Sequence, residues 1–381
     1  MWLRPVRYLR GVVLRKLVIL GAVAAALPAA ALAGGPETLM PGVTYEDGVQ
    51  FTPHGAVVLH VIRAPRPGGL YRVEPTLAQG TILGRETVTG MQERLAGSAT
   101  IASVNGDLFD ARDGHPSGIV LRGGVLDHPP FTGRSSGGFD AQGLLHVDRV
   151  RFFGTWKGAG QRRPLAGVDQ VPTPGEVVLF TPAWGVRTPP LADAVDVVLP
   201  SFPPARPDGD LTGTVAQVVR GGGTPIPPGG AVLQARGNLI GQKMLAEVRP
   251  AASITARLIL QPDWAGIQDA IGGGPLLVRD GKAVFRANEA FAAAQLQPRA
   301  PRAAVGQAAD GSVLLVTVDG GRAGGSVGMT SFELALALQR LGAVRAMALG
   351  SGAPTTMAFD GTLLNRPAGA EQPVGDALSI V

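Results

Sequence analysis

Asp-Gly and Gly-Gly dipeptides that separate short apolar runs constrain the fold of this chain more than any other sequence feature. They occur at residues 123–124, 280–281, 310–311 and 360–361, and Gly143 divides a fifth pair of runs. Aspartate and glycine accept the positive φ angles of two-residue hairpin turns, so each site predicts an antiparallel hairpin. The sequence therefore predicts sheets that are largely antiparallel.

Helix signals are few, and the clearest lies near the carboxyl terminus. Thr330 and Glu333 fit a capping box ahead of apolar residues at helical spacing, and Gly342 follows where such a helix would end. This explains Glu333 structurally, without a catalytic role. Weaker signals predict one helix that begins near Thr89 and another over residues 287–296.

From these elements we predict an α+β fold with mixed, largely antiparallel sheets, hairpins, few helices and one C-terminal βαβ unit. That unit places a helix between strands over residues 312–318 and 344–349. If the two strands are parallel, the loops that follow them leave the same edge of the sheet, where sites form in such units. Asp319 and Gly350 open these two loops.

Residues 1–33 have the pattern of a secretory signal peptide. Five basic residues precede an apolar stretch that ends in Ala31-Leu32-Ala33, the small-residue pattern of a cleavage site. The alternative is an uncleaved anchor, because an apolar stretch of about 17 residues approaches a membrane span in length. We expect a protein that is secreted or held in a bacterial cell envelope and meets a membrane only through this segment, if it stays uncleaved.

Charge and cysteine content exclude several classes of function. The 381-residue chain has a net charge of +5, but without residues 1–33 it holds 29 basic and 29 acidic residues, so no nucleic-acid footprint remains. It has no cysteine, which excludes disulfides, thiolate nucleophiles and cysteine-based metal sites.

Composition divides the rest of the chain into three parts. Residues 34–98 are predicted to form a β-rich lead-in, and residues 99–162 and 251–381 the main domain. Residues 163–250 hold 14 of the 32 prolines and are predicted to form a β-rich insertion, because strand patterns interrupt the proline-rich stretches.

Two segments resemble motifs of serine hydrolases and of calcium sites but lack the required order or spacing of residues. Residues 324–328 read G-x-S-x-G, but all five histidines precede residue 150, whereas the histidine of such an enzyme follows its serine. Asp107, Asp110 and Asp113 crowd one stretch at a spacing that does not fit an EF-hand, although irregular loops can hold Ca²⁺ through oxygens. We therefore predict no metal, with calcium at these three aspartates as the alternative.

The polar turn at residues 105–107 follows a predicted buried strand over residues 99–104. Its pattern fits an ordinary turn as well as a functional site. Together with the other motifs, however, this turn forms a set of segments that resembles the phosphodiester glycosidase family. The matching segments keep the family's order along the chain: 104–110 (VNGDLFD), 116–126, 272–285 (GGGPLLVRDGKAVF), 301–306 (PRAAVG), 318–336 and 341–367.

The best-known activity of this family removes α-N-acetylglucosamine from a phosphodiester and so uncovers mannose 6-phosphate. The resemblance implies that Asp107 and Asp319 are the catalytic carboxylates, as glycoside cleavage requires. It also implies substrate binding by polar residues of the matching motifs: Asn105, Arg302, Ser326, Ser351, Thr355 and Thr356. An arginine fork such as that of Arg302, or a helix N-terminus, suits a phosphodiester anion.

The sequence also departs from the family pattern. Gly350 stands where the family has an aspartate, Gly321 where it has an arginine, and Ala303 where it has a threonine. Two functions therefore stay open. One is an exported hydrolase that cleaves a sugar phosphodiester or related α-glycoside in envelope polymers or exopolysaccharide. The other is a catalytically weakened relative that binds envelope glycan, and in both the partner is a carbohydrate or sugar-phosphate polymer.

Overall fold

The computed structural model describes residues 31–32, 35–321 and 325–381. Of these residues, 43 % lie in strands and 10 % in helices, and the sheets are arranged like a four-bladed β-propeller. The prediction of an α+β fold is therefore wrong, because the protein is mostly β. The described helices have at most ten residues and form no layer of their own: Ala78–Gly80 (3₁₀), Val88–Leu95, Asn238–Glu247, Ala293–Leu296 and Ser331–Arg340.

The largest sheet, here called the central sheet, joins strands from before residue 65 with strands from residues 276–351. Its strands lie in this spatial order: Ala31–Leu32, Val43–Thr52, Gly55–Ala64, Val313–Val318, Arg302–Ala308, Ala343–Ser351, Leu276–Arg279 and Lys282–Ala283. A further strand, Glu37–Met40, also pairs with Val43–Thr52.

Both faces of the central sheet are apolar, because side chains alternate along each strand. Val305 and Leu315 point into one core with the C-terminal strands, whereas Leu314 and Val316 point into a second core. Leu338 of the helix Ser331–Arg340 packs in that second core. Each such side chain contributes about 1.5–3 kcal/mol through burial.

The predicted capping box is confirmed at the start of this helix. Thr330 Oγ1 accepts a hydrogen bond from Glu333 N, and the Glu333 carboxylate accepts one from Thr330 N. The flanking strands Val313–Val318 and Ala343–Ser351 both pair antiparallel to Arg302–Ala308, which lies between them. They are thus parallel to each other without contact, and their following loops do leave the same edge.

The described residues form four smaller sheets besides the central sheet. The C-terminal sheet consists of Thr362–Leu363, Met357–Phe359, Ala102–Asn105, Asp376–Ile380 and Val73–Leu77. The hairpin sheet consists of Leu145–Asp148, Ser136–Asp140, Ile267–Gly272, Val120–Arg122 and Val125–His128. The bridging sheet consists of Arg163–Leu165, Arg151–Lys157, Ser253–Gln261 and Asp210–Thr214. The insertion sheet consists of Gly167–Val168, Val177–Phe180, Ala231–Arg236, Ala194–Leu199 and Gln217–Arg220.

All five predicted hairpins are present, and positive φ angles occur at both residues of the 123–124, 280–281 and 360–361 turns but only at Gly311 of the 310–311 turn. Asp280 and Gly281 have φ of 50° and 72°, and Asp360 and Gly361 have φ of 46° and 78°. The helix signals were less accurate. The first helix is capped by Thr87 rather than Thr89, and the second covers only Ala293–Leu296 of residues 287–296.

The predicted parts of the chain share sheets. Strands of the 34–98 segment pair inside the central sheet, and Arg163–Leu165 and Asp210–Thr214 of the 163–250 segment pair in the bridging sheet. The predicted signal peptide lies outside the described residues except for Ala31–Leu32. In the part of the chain that the structure describes, no helix has the length and apolar character needed to span a membrane.

Candidate active site

A cavity of about 150 Å³ lies where strands of three sheets end close together. Asp107 follows the strand Ala102–Asn105, and Gly273 follows Ile267–Gly272. Arg302 begins one strand of the central sheet, and its register partner Ser351 ends the next. The cavity thus brings together three predicted site residues: Asp107, Arg302 and Ser351.

Asp107 is the acidic residue of this cavity wall. Its side chain is buried, and its Oδ1 has no hydrogen-bond partner among the described residues. Burial raises the pKa of Asp107 to about 6, although backbone hydrogen bonds and the charge of Arg134 act in the opposite direction. A carboxylate with a free oxygen and a pKa near neutrality is suited to acid–base or nucleophilic chemistry.

A second carboxylate, Asp376, lies directly behind Asp107, and the sequence analysis missed it. Asp376 Oδ1 accepts a hydrogen bond of 2.8 Å from Asp107 N, while Asp376 Oδ2 has no partner within the described part of the chain. Burial, together with the charge of Asp107, raises the pKa of Asp376 to about 8. A lone acid in an otherwise apolar C-terminal strand was the only sequence signal for this residue.

Glycines make room for this pair of carboxylates. A Cβ at Gly272 would lie 2.2 Å from Asp107 Oδ2, and one at Gly118 would lie 2.7 Å from it. A Cβ at Gly106 would lie 2.4 Å from Asp376 Oδ1. All three contacts are too short for real atoms, so the close packing around the pair depends on glycine.

Arg302 holds the segment that covers the cavity. Its guanidinium is buried and donates to the backbone oxygens of Gln295 and Pro298, both at 2.8 Å, and of Met329 at 3.0 Å. It forms no ion pair with any carboxylate of the described residues, and burial lowers its pKa. The predicted role of Arg302 as an anion receptor remains a prediction, but most of its donors are already engaged.

Two asparagines fix the loop over residues 350–357. Asn105 Nδ2 donates to the Gly350 oxygen at 3.0 Å, and Asn105 Oδ1 accepts from Thr356 N at 3.1 Å. On the other side, Asn365 donates to the Thr355 oxygen and accepts from Met357 N. Asn105 therefore positions the loop that carries Ser351, and its own polar atoms are satisfied.

Thr355 and Thr356 lie inside this loop, away from the cavity wall. Thr356 Oγ1 donates to the Pro354 oxygen at 3.1 Å. Thr355 Oγ1 is buried and has no partner within the residues that the structure describes. Neither lines the cavity that holds Asp107.

Gly350 lies close to Asn105 and to the turn that follows it. A Cβ at this position would lie 3.0 Å from Asn105 Nδ2 and from the backbone oxygens of Gly106 and Asp107. Because two of these neighbours are backbone atoms, a side chain could fit here only if the loop or the turn moved. The local structure is thus built around the absence of the family's aspartate.

Asp319 lies in a separate buried network. Its Oδ2 is 3.1 Å from His60 Nε2, and its Oδ1 accepts from Asn365 Nδ2 and from Arg366 N, both at 3.1 Å. His60 Nδ1 lies 2.8 Å from the Tyr45 hydroxyl, whose pKa is raised chiefly by burial. Both oxygens of Asp319 are engaged, and the residue does not line the Asp107 cavity.

Ser326 and the helix N-terminus beyond it are also occupied. Ser326 Oγ donates to the backbone oxygen of Asp319 and accepts a hydrogen bond from Val58 N at 3.1 Å. The first turn of the helix Ser331–Arg340 already holds the Glu333 carboxylate, which forms an ion pair with Arg299. This N-terminus is therefore a poor receptor for a substrate anion, since an anion is already in place.

A larger cleft of about 560 Å³ adjoins the Asp107 cavity, and the two share Pro275, Phe291 and Leu296. Its aromatic wall includes Phe285, which is 69 % exposed and packs edge-on against Phe332 at 4.9 Å between ring centroids. Exposed aromatic side chains beside polar groups are typical of ligand sites.

The three aspartates considered for calcium are not brought together. Asp107 faces the cavity, whereas Asp110 and Asp113 group with His115 outside it. Arg112 Nη2 binds Asp110 Oδ2 at 2.5 Å, and His115 Nδ1 lies 2.7 Å from Asp113 Oδ1. Asp110, Asp113 and His115 could offer ligands to a cation only in competition with these pairs, and calcium here stays a prediction.

Comparison with known proteins identifies a domain. Residues 209–381 match the model of the phosphodiester glycosidase family, which confirms the resemblance noted in the sequence. The match begins within the predicted 163–250 insertion. The chain is 32 % identical over 116 residues to the SPbeta prophage-derived uncharacterized protein YomE of Bacillus subtilis (strain 168), which covers 30 % of this chain and 18 % of that protein.

Solved structures show the same fold over most of the chain. A hypothetical protein from Synechocystis matches 92 % of this chain and 64 % of its own, with a TM-score of 0.74 and 23 % identity. A Burkholderia pseudomallei K96243 protein described as a "Putative exported protein" matches 86 % of this chain and 74 % of its own, with a TM-score of 0.69 and 21 % identity. The chain thus spans less than two thirds of the Bacillus and Synechocystis proteins.

Proposed function

We propose that this chain, whose residues 209–381 carry the phosphodiester glycosidase domain, is a hydrolase that releases a sugar from a phosphodiester, with Asp107 at its centre. The observation that carries the proposal is the buried Asp107 carboxylate, whose Oδ1 lacks a partner among the described residues and which lines a cavity. The family match covers residues 209–381, so the assignment of Asp107 is supported by this geometry and by the resemblance of its turn to the family motif.

The chemistry of this substrate class suits a site with one carboxylate at the cavity wall. Cleavage at an anomeric carbon needs a base or nucleophile, and an acid where the leaving group is strongly basic. A phosphate is a weakly basic leaving group and needs little protonation. Asp107, ionised above its pKa of about 6, can attack the anomeric carbon or activate a water there.

The remaining predicted residues then have positioning roles. Arg302 fixes the segment that covers the cavity, and Asn105 fixes the loop that carries Ser351. Asp319 contributes indirectly, because it accepts a hydrogen bond from Asn365. Asn365 in turn donates to the backbone oxygen of Thr355 in the loop that carries Ser351.

We also propose export and a substrate in envelope polymers or exopolysaccharide. The signal-peptide pattern of residues 1–33 supports export, and the Burkholderia protein of the same fold carries the description of an exported protein. The alternative, a glycan-binding relative with little catalysis, is favoured by one observation only. Gly350 replaces the family's aspartate, and a Cβ there would lie 3.0 Å from Asn105 Nδ2 and two backbone oxygens, so a side chain would fit only tightly.

The test compares two substrates with the purified wild-type protein: a phosphodiester of α-linked N-acetylglucosamine and a neutral aryl α-N-acetylglucosaminide. The proposal predicts turnover of the phosphodiester with a clear preference over the aryl glycoside. Cleavage of the aryl glycoside alone would contradict the substrate class. Retention of envelope glycan without turnover of either substrate would establish the binding function instead.

A further inference from the structure

Arg134 is held between two aromatic rings next to the candidate active site. Its guanidinium carbon lies 4.3 Å from the ring centroid of Phe131 and 4.6 Å from that of Phe291. Arg134 Nε donates to the Ala290 oxygen at 3.2 Å. Its two terminal amino groups have no hydrogen bond to the described protein, and it forms no ion pair there with a carboxylate.

The loop that carries Arg134 is fixed by its neighbour. Ser135 N and Ser135 Oγ donate to the two oxygens of Glu289 at 2.8 Å and 2.7 Å, and Glu289 also accepts from Leu276 N. Two rings and this carboxylate therefore hold the guanidinium in place before any ligand arrives, which lowers the entropic cost of binding.

Phe291 connects Arg134 to both cavities. The ring that stacks on Arg134 belongs to a residue that lines both the Asp107 cavity and the larger cleft. The positive charge of Arg134 also acts to lower the pKa of Asp107, which agrees with a position of the guanidinium near that carboxylate. The guanidinium thus lies against a ring that the two cavities share, although Arg134 itself is not among the residues that line either one.

We infer that Arg134 binds the phosphodiester anion of the substrate, beside Phe291, whose ring lines both cavities. A planar guanidinium with two free amino groups matches two phosphate oxygens, and stacking fixes the plane of the fork. Of the other candidates, Arg302 donates to backbone oxygens and Arg299 pairs with Glu333, whereas Arg286 at the larger cleft is the remaining competitor. This inference rests on the proposed function and names the residue that distinguishes a phosphodiester from a neutral glycoside.

The test measures phosphate binding and steady-state kinetics in Arg134→Met, which removes the charge and keeps an unbranched side chain. Inorganic phosphate should bind about tenfold more weakly or worse, the loss expected for one charge-assisted fork. KM for the phosphodiester should rise by a similar factor, while KM for the neutral aryl glycoside stays unchanged. Arg134→Lys keeps the charge without the fork and should show an intermediate loss.

Two further arginines serve as comparisons. Arg257→Met, at an exposed position on the strand Ser253–Gln261, should leave phosphate binding unchanged. Arg286 lies 5.6 Å from the Phe285 ring at the larger cleft and is the competing anion receptor. Wild-type phosphate affinity in Arg134→Met, or an equal loss in Arg286→Met, would overturn the inference.

The two proposals fail separately. A wild-type protein that cleaves neither substrate contradicts the proposed hydrolase, yet phosphate titration still reports on Arg134. A wild-type protein that cleaves the phosphodiester, with an Arg134→Met variant that has unchanged phosphate affinity and KM, contradicts only the role of Arg134. Thermal unfolding of every variant checks that the folded state is retained.

Discussion

The backbone N–H of Asp107 donates a 2.8 Å hydrogen bond to Oδ1 of Asp376. The carboxylate of Asp376 is thus bound to the main chain of the residue that carries the second buried carboxylate. Each carboxylate keeps one oxygen without a partner among the described residues. Because the Asp107 charge contributes to the raised pKa of Asp376, the two groups titrate as a coupled pair. Of the two, Asp376 has the more strongly raised pKa, because the charge of Asp107 adds to the effect of burial there.

This coupling predicts how stability depends on pH. The pKa of Asp376 is raised from 3.8 to about 8 on folding, so its contribution is fully present below about pH 4 and is lost as pH rises toward 8. The loss amounts to at most about 1.4 kcal/mol per pH unit. Asp376→Asn removes the titration and keeps an oxygen that can accept from Asp107 N.

We therefore expect the Tm of Asp376→Asn to match the wild type near pH 4 and to exceed it near pH 8. The measurement is the difference in Tm between the variant and the wild type at each pH. Asp169 is also buried with a raised pKa, and its effect is present in both proteins and cancels in this difference. Parallel curves across this range would show that Asp376 does not carry the buried proton.

Arg302→Lys should destabilise the protein. A lysine ammonium cannot reach the backbone oxygens of Gln295, Pro298 and Met329 with one planar fork, so buried acceptors lose their partners. We expect a loss of about 2–4 kcal/mol in the free energy of unfolding, with reduced turnover because the segment over the cavity loosens. An unchanged Tm with a raised KM for charged substrate would instead support the anion-binding role that the sequence analysis predicted.

Asp319→Asn should leave turnover measurable. The substitution removes the charge that faces His60 and the acceptor for Arg366 N or Asn365, so the loop that carries Ser351 is held less firmly. The expected result is a lower Tm with a partial fall in kcat. Complete loss of turnover at an unchanged Tm would assign Asp319 the catalytic role implied by the family resemblance.

Gly350→Asp should not raise activity. Its Cβ would lie 3.0 Å from two backbone oxygens and from Asn105 Nδ2, and a carboxylate would add charge to a buried turn. We expect Gly350→Ala to lower the Tm and Gly350→Asp to lower it further. A gain in turnover by Gly350→Asp would show instead that this chain lacks only the family's aspartate, which favours the glycan-binding alternative for the wild type.

Local chemistry explains what could be predicted from the sequence. The hairpins at Asp280-Gly281 and Asp360-Gly361 and the Thr330–Glu333 capping box depend on residues within a few positions of each other. Asp107 could be proposed as a site residue, because its turn matches a family motif. Such features need no knowledge of how the sheets pack.

Long-range packing explains what could not. Asp376 meets Asp107 across 269 residues, through the pairing of Asp376–Ile380 with Ala102–Asn105. Arg134 is recognisable only once Phe291 is seen to stack on it. The fold class was wrong because the predicted C-terminal βαβ unit suggested an α+β protein, whereas helices make up only 10 % of the described residues.

The most direct test of the central claim is phosphodiester turnover by Asp107→Asn beside Asp110→Asn. Asp110 lies three residues away and outside the cavity, so its substitution controls for the loss of a nearby carboxylate. We expect no detectable turnover by Asp107→Asn, turnover near the wild type by Asp110→Asn, and a wild-type kcat/KM that rises with pH through about 6. Turnover by Asp107→Asn at the wild-type rate would show that Asp107 is not the catalytic carboxylate.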